Sequence, residues 1–245
     1  TPDFQPNGDL TFNLPDLGLI AAMAGEQATG DLAGSISIKS TDGITSATIK
    51  ANGSGIDRAG LKVVKPIADI AIADLKALAI TGTVSAQQIV QGETRLDALK
   101  LDFTQQAGKT DFNVTGNYDG TPLAAAGSLA SAAGRTEIAL NSLTATLNGI
   151  PLSLPASTAI AIENGAVRLK DLAIAVNGGT LTVNGTAGKT LDLTATLAGN
   201  PQIEVAVPQE KGEIRARING ATATVKGPLE ALAIDATADV ASLAL

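Results

Sequence analysis

This chain of 245 residues contains no histidine and no cysteine, so the side chains that most often serve as general base, thiol nucleophile and soft metal ligand are missing. Carboxylates, hydroxyls and dispersed cations remain. Lys and Arg total 17 against 24 Asp and Glu, a formal charge of −7, and the cations form no cluster. Nucleic-acid binding rests on concentrated positive charge and is disfavoured. Absence of Cys also removes any disulfide frame, a composition that oxidising and reducing compartments both tolerate.

The motifs that resemble chemistry dissolve when their spacing is checked. AGKT at 107–110 and again at 187–190 matches the tail of a phosphate-binding loop. The full pattern needs a Gly five residues before the Gly-Lys pair, and Phe103 and Val183 stand there. Both copies lie between strand patterns and are expected to be hairpin turns. NGGTLTVNG (177–185) has the Gly-rich look of calcium-binding nonapeptides but lacks their Asp and their tandem array. Asp97, Asp102, Asp171 and Asp192 fall at outward or turn positions, where a carboxylate solvates a face and discourages edge-to-edge aggregation. Arg215 and Arg217 alternate with Ile214, Ala216 and Ile218, placing both charges on one outward, solvated face. No catalytic residue, metal ligand or cofactor is assigned, and the chain is expected not to be an enzyme.

The elements are strands. Period-two alternation marks LTFNL (10–14), SISIK (35–39), DFNVTGNY (111–118), TEIAL (136–140), TAIAI (158–162), TLTVNG (180–185), TLDLTATL (190–197), IEVAV (203–207) and EIRARI (213–218). Turn chemistry separates such runs at Asn7-Gly8, Asp42-Gly43, Asn52-Gly53, Asp119-Gly120, Asn148-Gly149, Asn164-Gly165, Gly178-Gly179 and Asn219-Gly220. The pattern predicts an all-β protein of consecutive antiparallel strands. Residues 15–28 could hold one short helix, bounded by Pro15 and Gly25, whereas 67–80 and 123–130 read as strands despite fair helix propensity. No domain boundary or linker stands out, so residues 1–245 are expected to form one continuous segment. The longest apolar stretch, near 17–25, falls short of the roughly 20 residues a spanning helix needs. The chain opens on Thr1 without a signal-peptide pattern and is expected to be an internal piece of a longer protein.

One stretch breaks the strand rule. In VRLKDLAIAV (167–176), Val167 and Leu169 alternate with charge, then the next apolar residue comes one place late at Leu172. A one-residue slip sends later side chains to the opposite face unless the strand bulges. The same step recurs from Leu96 to Leu99, Leu140 to Leu143, Ile72 to Leu75, Leu229 to Leu232 and Val240 to Leu243. If each slip is a bend, both arms of a strand turn their aliphatic residues to one concave side. That side is expected to carry Ile138, Leu140, Leu143, Leu147, Ile160, Ile162, Val167, Leu169, Leu172, Ile174, Val176, Leu181, Val183, Leu191, Leu193 and Leu197. The chain is 44% hydrophobic but only 2% aromatic, so the lining is almost wholly Leu, Ile, Val and Ala. An open gutter and a closed β-sandwich both satisfy the pattern.

Two long stretches, ALAITGTVSAQQIVQGETRLDALKLDF (77–103) and residues 140–197, resemble the β-rich periplasmic region of the TamB family. GDLAGSISI (30–38) and VKGPLEALAID (225–235) fit the same family's recurring Gly-x-Leu habits. TamB is the inner-membrane subunit of the bacterial translocation and assembly module and groups with AsmA-like and bridge-like lipid-transfer proteins. The resemblance implies a long, twisted antiparallel sheet curled into a U-shaped hydrophobic groove, sometimes called a β-taco. It implies a periplasmic location, phospholipid acyl chains as cargo between inner and outer membranes, and a TamA-like outer-membrane partner for the full-length protein. The residues given above would line that groove. The family's membrane anchor has no counterpart within these residues. The competing expectation is a β-solenoid or sandwich segment of a bacterial surface adhesin or autotransporter passenger, with a closed dry core.

Overall fold

In the computed structural model, residues 5–23, 25–132, 134–147, 149–199, 201, 203–209 and 212–244 are described, with the backbone alone for 205–209, 212–215, 243 and 244. The chain forms two compact units, Thr1–Ala126 and Gly127–Leu245, and β11 (Thr121–Ala132) carries it from one to the other. Every strand pairing with a described register is antiparallel, as the alternation predicts. The one helix among the described residues, α1 (Gly18–Met23), lies within the expected stretch.

In the first unit, β1 (Gly8–Leu14), β3 (Leu32–Thr41), β4 (Ile44–Asn52) and β7 (Ile67–Asp74) pair in that order. A second run comprises β2 (Thr29–Gly30), β5 (Gly55–Arg58) and β6 (Leu61–Val64). Both runs end on β8 (Ala79–Gln91): β7 takes Ala79–Ser85 and β6 takes Gln88–Gln91. The long strands β8, β9 (Thr94–Gln106) and β10 (Lys109–Tyr118) therefore traverse two arms. At the joint, Asp97 to Lys100 on β9 spans three residues against two from Thr115 to Asn117 on β10. That is a bulge, and Ala98 sits there at φ 50°.

The second unit repeats the device. β12 (Arg135–Leu147) pairs through its first half with β14 (Thr158–Glu163) and through its second with β13 (Ile150–Ser153). Both short strands then pair with β15 (Ala166–Val176), followed by β16 (Gly179–Ala187), β17 (Thr190–Gly199), β19 (Gly212–Pro228) and β20 (Ala233–Ala244). β18 (Ile203–Gln209) joins the other half of β19. On β15, Leu169 to Leu172 spans three residues against two from Val183 to Gly185 on β16. Asp171 takes the left-handed conformation at φ 50°, and its N–H donates to Asn184 Oδ1 at 2.7 Å. The slip in VRLKDLAIAV is this bulge.

The turn expected at Gly178-Gly179 forms one place earlier, at Asn177 and Gly178, and Gly179 opens β16. Three of the eight expected pairs form as expected, Asp42-Gly43, Asp119-Gly120 and Asn164-Gly165 having both residues at positive φ, and both AGKT copies close hairpins. Three do not. Asn7-Gly8 opens β1, where Asn7 Oδ1 accepts the Ser40 N–H at 2.9 Å. Asn52-Gly53 links two strands that are not partners, with Gly53 N–H donating to Pro66 O at 3.0 Å. Asn219-Gly220 lies inside β19 at a register irregularity against β20. Asn148 lies outside the described residues. Two of the expected corners are also plain turns. Beyond Ile72, Asp74 Oδ1 accepts the Lys76 and Ala77 N–H groups, so Leu75 belongs to a turn. Leu229 likewise lies in the turn before β20 and is 63% exposed.

Candidate functional site

Directly opposed residues of an antiparallel pair share a face, so register converts alternation into rows. In the second unit one row runs Ile138, Ile160, Leu169, Gly185, Leu193, Val225, Ile234. A neighbouring row carries Ile162, Val167, Ala187 and Leu191. Across the bulge, Leu172 opposes Val183, Ile174 opposes Leu181, and Leu181 opposes Leu197. β16 and β17 pair without a slip from Gly179 to Ala187, so the rows before and after the bulge lie on one face. Val176 joins it through Gly179 and through Leu152. Leu152 opposes Ala145, and Leu143 and Leu147 follow from Ala145 by alternation, as Leu140 follows from Ile138. The register thus brings together every aliphatic residue named for the second unit.

A matching face in the first unit was not singled out from sequence. Its central row is Leu10, Ile36, Ile49, Ile70, Gly82, Phe103, Phe112, and beside it run Phe12, Gly34, Ala51, Ala68, Val84, Leu101, Val114. Beyond the bulge the row Ile56, Val63, Ile89, Leu96, Tyr118 continues on the same face, because β10 keeps unbroken alternation from Phe112 to Tyr118. The signal was present in SISIK and DFNV.

These faces are apolar without being sealed. Among the described residues, the buried apolar side chains are Ala47, Ala86 and Val176, with Pro201 the one large side chain completely enclosed. Most of the residues named above are partly buried, while Ile234 is 68% exposed, Leu10 59%, Leu147 43% and Val84 37%. The accessible surface is 15434 Å² for a 24.5 kDa chain, where a compact monomer would show about 10,000 Å² and two separate halves about 12,000 Å². A closed sandwich core would leave its rows dry.

The opposite faces are polar. In the first unit Thr11, Ser35, Lys50, Asp69, Thr83, Asp102 and Asn113 form one row, with Lys50 bridging to Asp69 at 3.4 Å. In the second, Glu137, Ala161, Arg168, Thr186, Asp192 and Lys226 form another. The carboxylates singled out from sequence are spent here. Lys100 holds Asp102 at 2.8 Å and Thr83 donates to it, which together lower its pKa. Arg95 at 2.8 Å and Gln88 do the same for Asp97. Asp192 faces Lys226 at 3.5 Å, and Asp171 belongs to the bulge. These carboxylates sit in ion pairs or turns rather than converging on a shared site. Arg217 is exposed and opposes Glu204; the Arg215 side chain lies outside the described residues.

The chain matches no protein-family model, and neither the curated proteins nor the solved structures include a match to it.

Proposed function

We propose that this chain is a non-enzymatic segment of a periplasmic lipid conduit of the TamB type, on whose apolar face phospholipid acyl chains travel between the inner and outer membranes. The observation that carries this is the continuous, partly exposed aliphatic face in each unit, backed by a polar face and supplied with almost no dry core among the described residues. Soluble monomers seldom leave contiguous apolar patches larger than about 300–600 Å² uncovered. Lipid tails are about as apolar as Leu, so a lining of Leu, Ile and Val accepts them without polar hooks. Each methylene removed from water contributes about 0.8 kcal/mol, so a few methylenes hold a chain while leaving it free to slide. The polar face keeps the segment soluble in the periplasm. In the full-length protein an inner-membrane anchor and a TamA-like outer-membrane partner would complete the path and link it to outer-membrane protein assembly.

Native mass spectrometry with lipid extraction, on the chain purified from a bacterial host, tests the proposal. Co-purifying phospholipid that diminishes in Leu172→Asp supports it. A lipid-free mass, with no uptake when liposomes are added, overturns it in favour of a closed structural β-protein.

A further inference from the structure

Gly82 is the single glycine in the central row of the first unit, between Ile70 and Phe103. Its φ lies outside the left-handed region, so the backbone does not require glycine. The requirement comes from above. A Cβ at Gly82 would stand 2.7 Å from Cζ and 2.9 Å from Cε1 of Phe103, with the nearest backbone atom, Asp69 O, at 3.1 Å. The Phe103 ring therefore lies down over Gly82. Phe12 covers Gly34 in the same way, its Cζ 2.7 Å from the corresponding Cβ, but there Lys50 O would also clash at 2.1 Å. At Gly34 strand packing forbids a side chain regardless of the ring. At Gly82 the main obstacle is the free end of a rotatable ring.

A phenyl ring standing upright reaches further from a sheet than the Ile and Leu beside it. Laid across a glycine, it is level with them. We infer that Gly82 is the seat that keeps Phe103 flat, and that the seated ring fixes the depth of the apolar face in residues 1–126 and hence the cross-section of the acyl chains it accepts. This rests on the conduit proposal. Phe112 is the cross-strand neighbour of Phe103 on β10, so the height of the seated ring bears on the pair.

The test uses the full chain and phosphatidylcholine vesicles doped with a pyrene-labelled acyl chain, with capture read from pyrene fluorescence. Gly82→Ala should lift the ring and weaken capture about tenfold, the loss of roughly two methylene contacts. Gly82→Ala combined with Phe103→Ala should restore capture, because the displaced ring is gone. Phe103→Leu alone, with the seat intact, should deepen the face and raise capture of a methyl-branched chain relative to a straight one. If the wild type captures the probe yet Gly82→Ala matches it, or the double variant stays as weak as the single, the inference is wrong and the conduit proposal stands. If the wild type captures nothing, the conduit proposal fails and takes the inference with it. Should Gly82→Ala lose its strand spectrum, the Phe103→Leu ratio decides: an unchanged preference overturns the seat.

Discussion

Leu172→Asp and Val176→Asp, four positions apart on one face of one strand, have different expected costs because their surroundings differ. Leu172 follows the bulge and opposes Val183, and it is only half-buried. Losing the leucine's partial burial forfeits about 1–2.5 kcal/mol. A carboxylate there still reaches water, so its desolvation adds little, and a total near 2 kcal/mol is expected. Val176 is 7% exposed, wedged between Leu152 and Gly179. An unpaired carboxylate in that position costs about 4 kcal/mol or more, the large class of single-site effects. Urea denaturation followed by far-ultraviolet circular dichroism reads both, with midpoints compared at a common slope. Two outcomes refute the reasoning: equal costs for the two variants, or a Leu172→Asp chain already unfolded without urea. Either would mean that Leu172 is sealed from water and that the face is a core.

Other substitutions probe the devices that shape the face. Gly185→Ala should be severely destabilising, by about 3 kcal/mol or more, because Gly185 sits at φ +126° and a Cβ would meet Asp192 O at 1.9 Å; a thermal midpoint near wild type would contradict the register drawn at the bulge. Ala98→Gly should stabilise by roughly 0.5–1 kcal/mol, since φ 50° strains an L-residue more than the added unfolded-state entropy costs; a lowered urea midpoint would argue against strain there. Asp97 and Asp102 titrate below the ordinary carboxylate range because Arg95 and Lys100 favour their charged forms, so the stability they lend is present above about pH 4 and lost as pH falls through their lower folded values. Asp102→Asn should flatten that acid-side decline, which a series of thermal melts from neutral to strongly acid pH would register; an unchanged slope would place the decline elsewhere.

The strands, their antiparallel order and the outward charges were legible because alternation is a local property, and Thr190–Gly199 or Ile44–Asn52 display it without interruption. The bulge in β15 was also legible, as a misplaced apolar residue, because a slipped period can be reconciled with one buried face in few ways. Where the chain only turns, as after Ile72 and Leu229, the same spelling arises from two unrelated strand ends, and sequence has no local means of separating them. Asn52-Gly53 failed as a hairpin for a non-local reason: Pro66, fourteen positions on, takes the hydrogen bond that a tight turn would have kept for itself. The first unit's face was hidden by composition. Its rows mix Phe, Ala and Gly, and the fit of ring over glycine depends on which residues the strand register sets opposite one another, Phe103 to Gly82 and Phe12 to Gly34.

The split short strands have a further consequence. Each pair such as β13 and β14 hands its hydrogen bonds to one long strand, and no described pairing joins residues more than 38 positions apart, the widest being Thr190 with Pro228. Loop-closure entropy is therefore small at every step, and each hairpin, once formed, templates the next. Such a ladder behaves as a nearest-neighbour array: it nucleates at any hairpin and grows outward, without waiting for distant parts of the chain. A polypeptide that emerges progressively in extended form is suited to such growth, because each new hairpin can form against the strand before it.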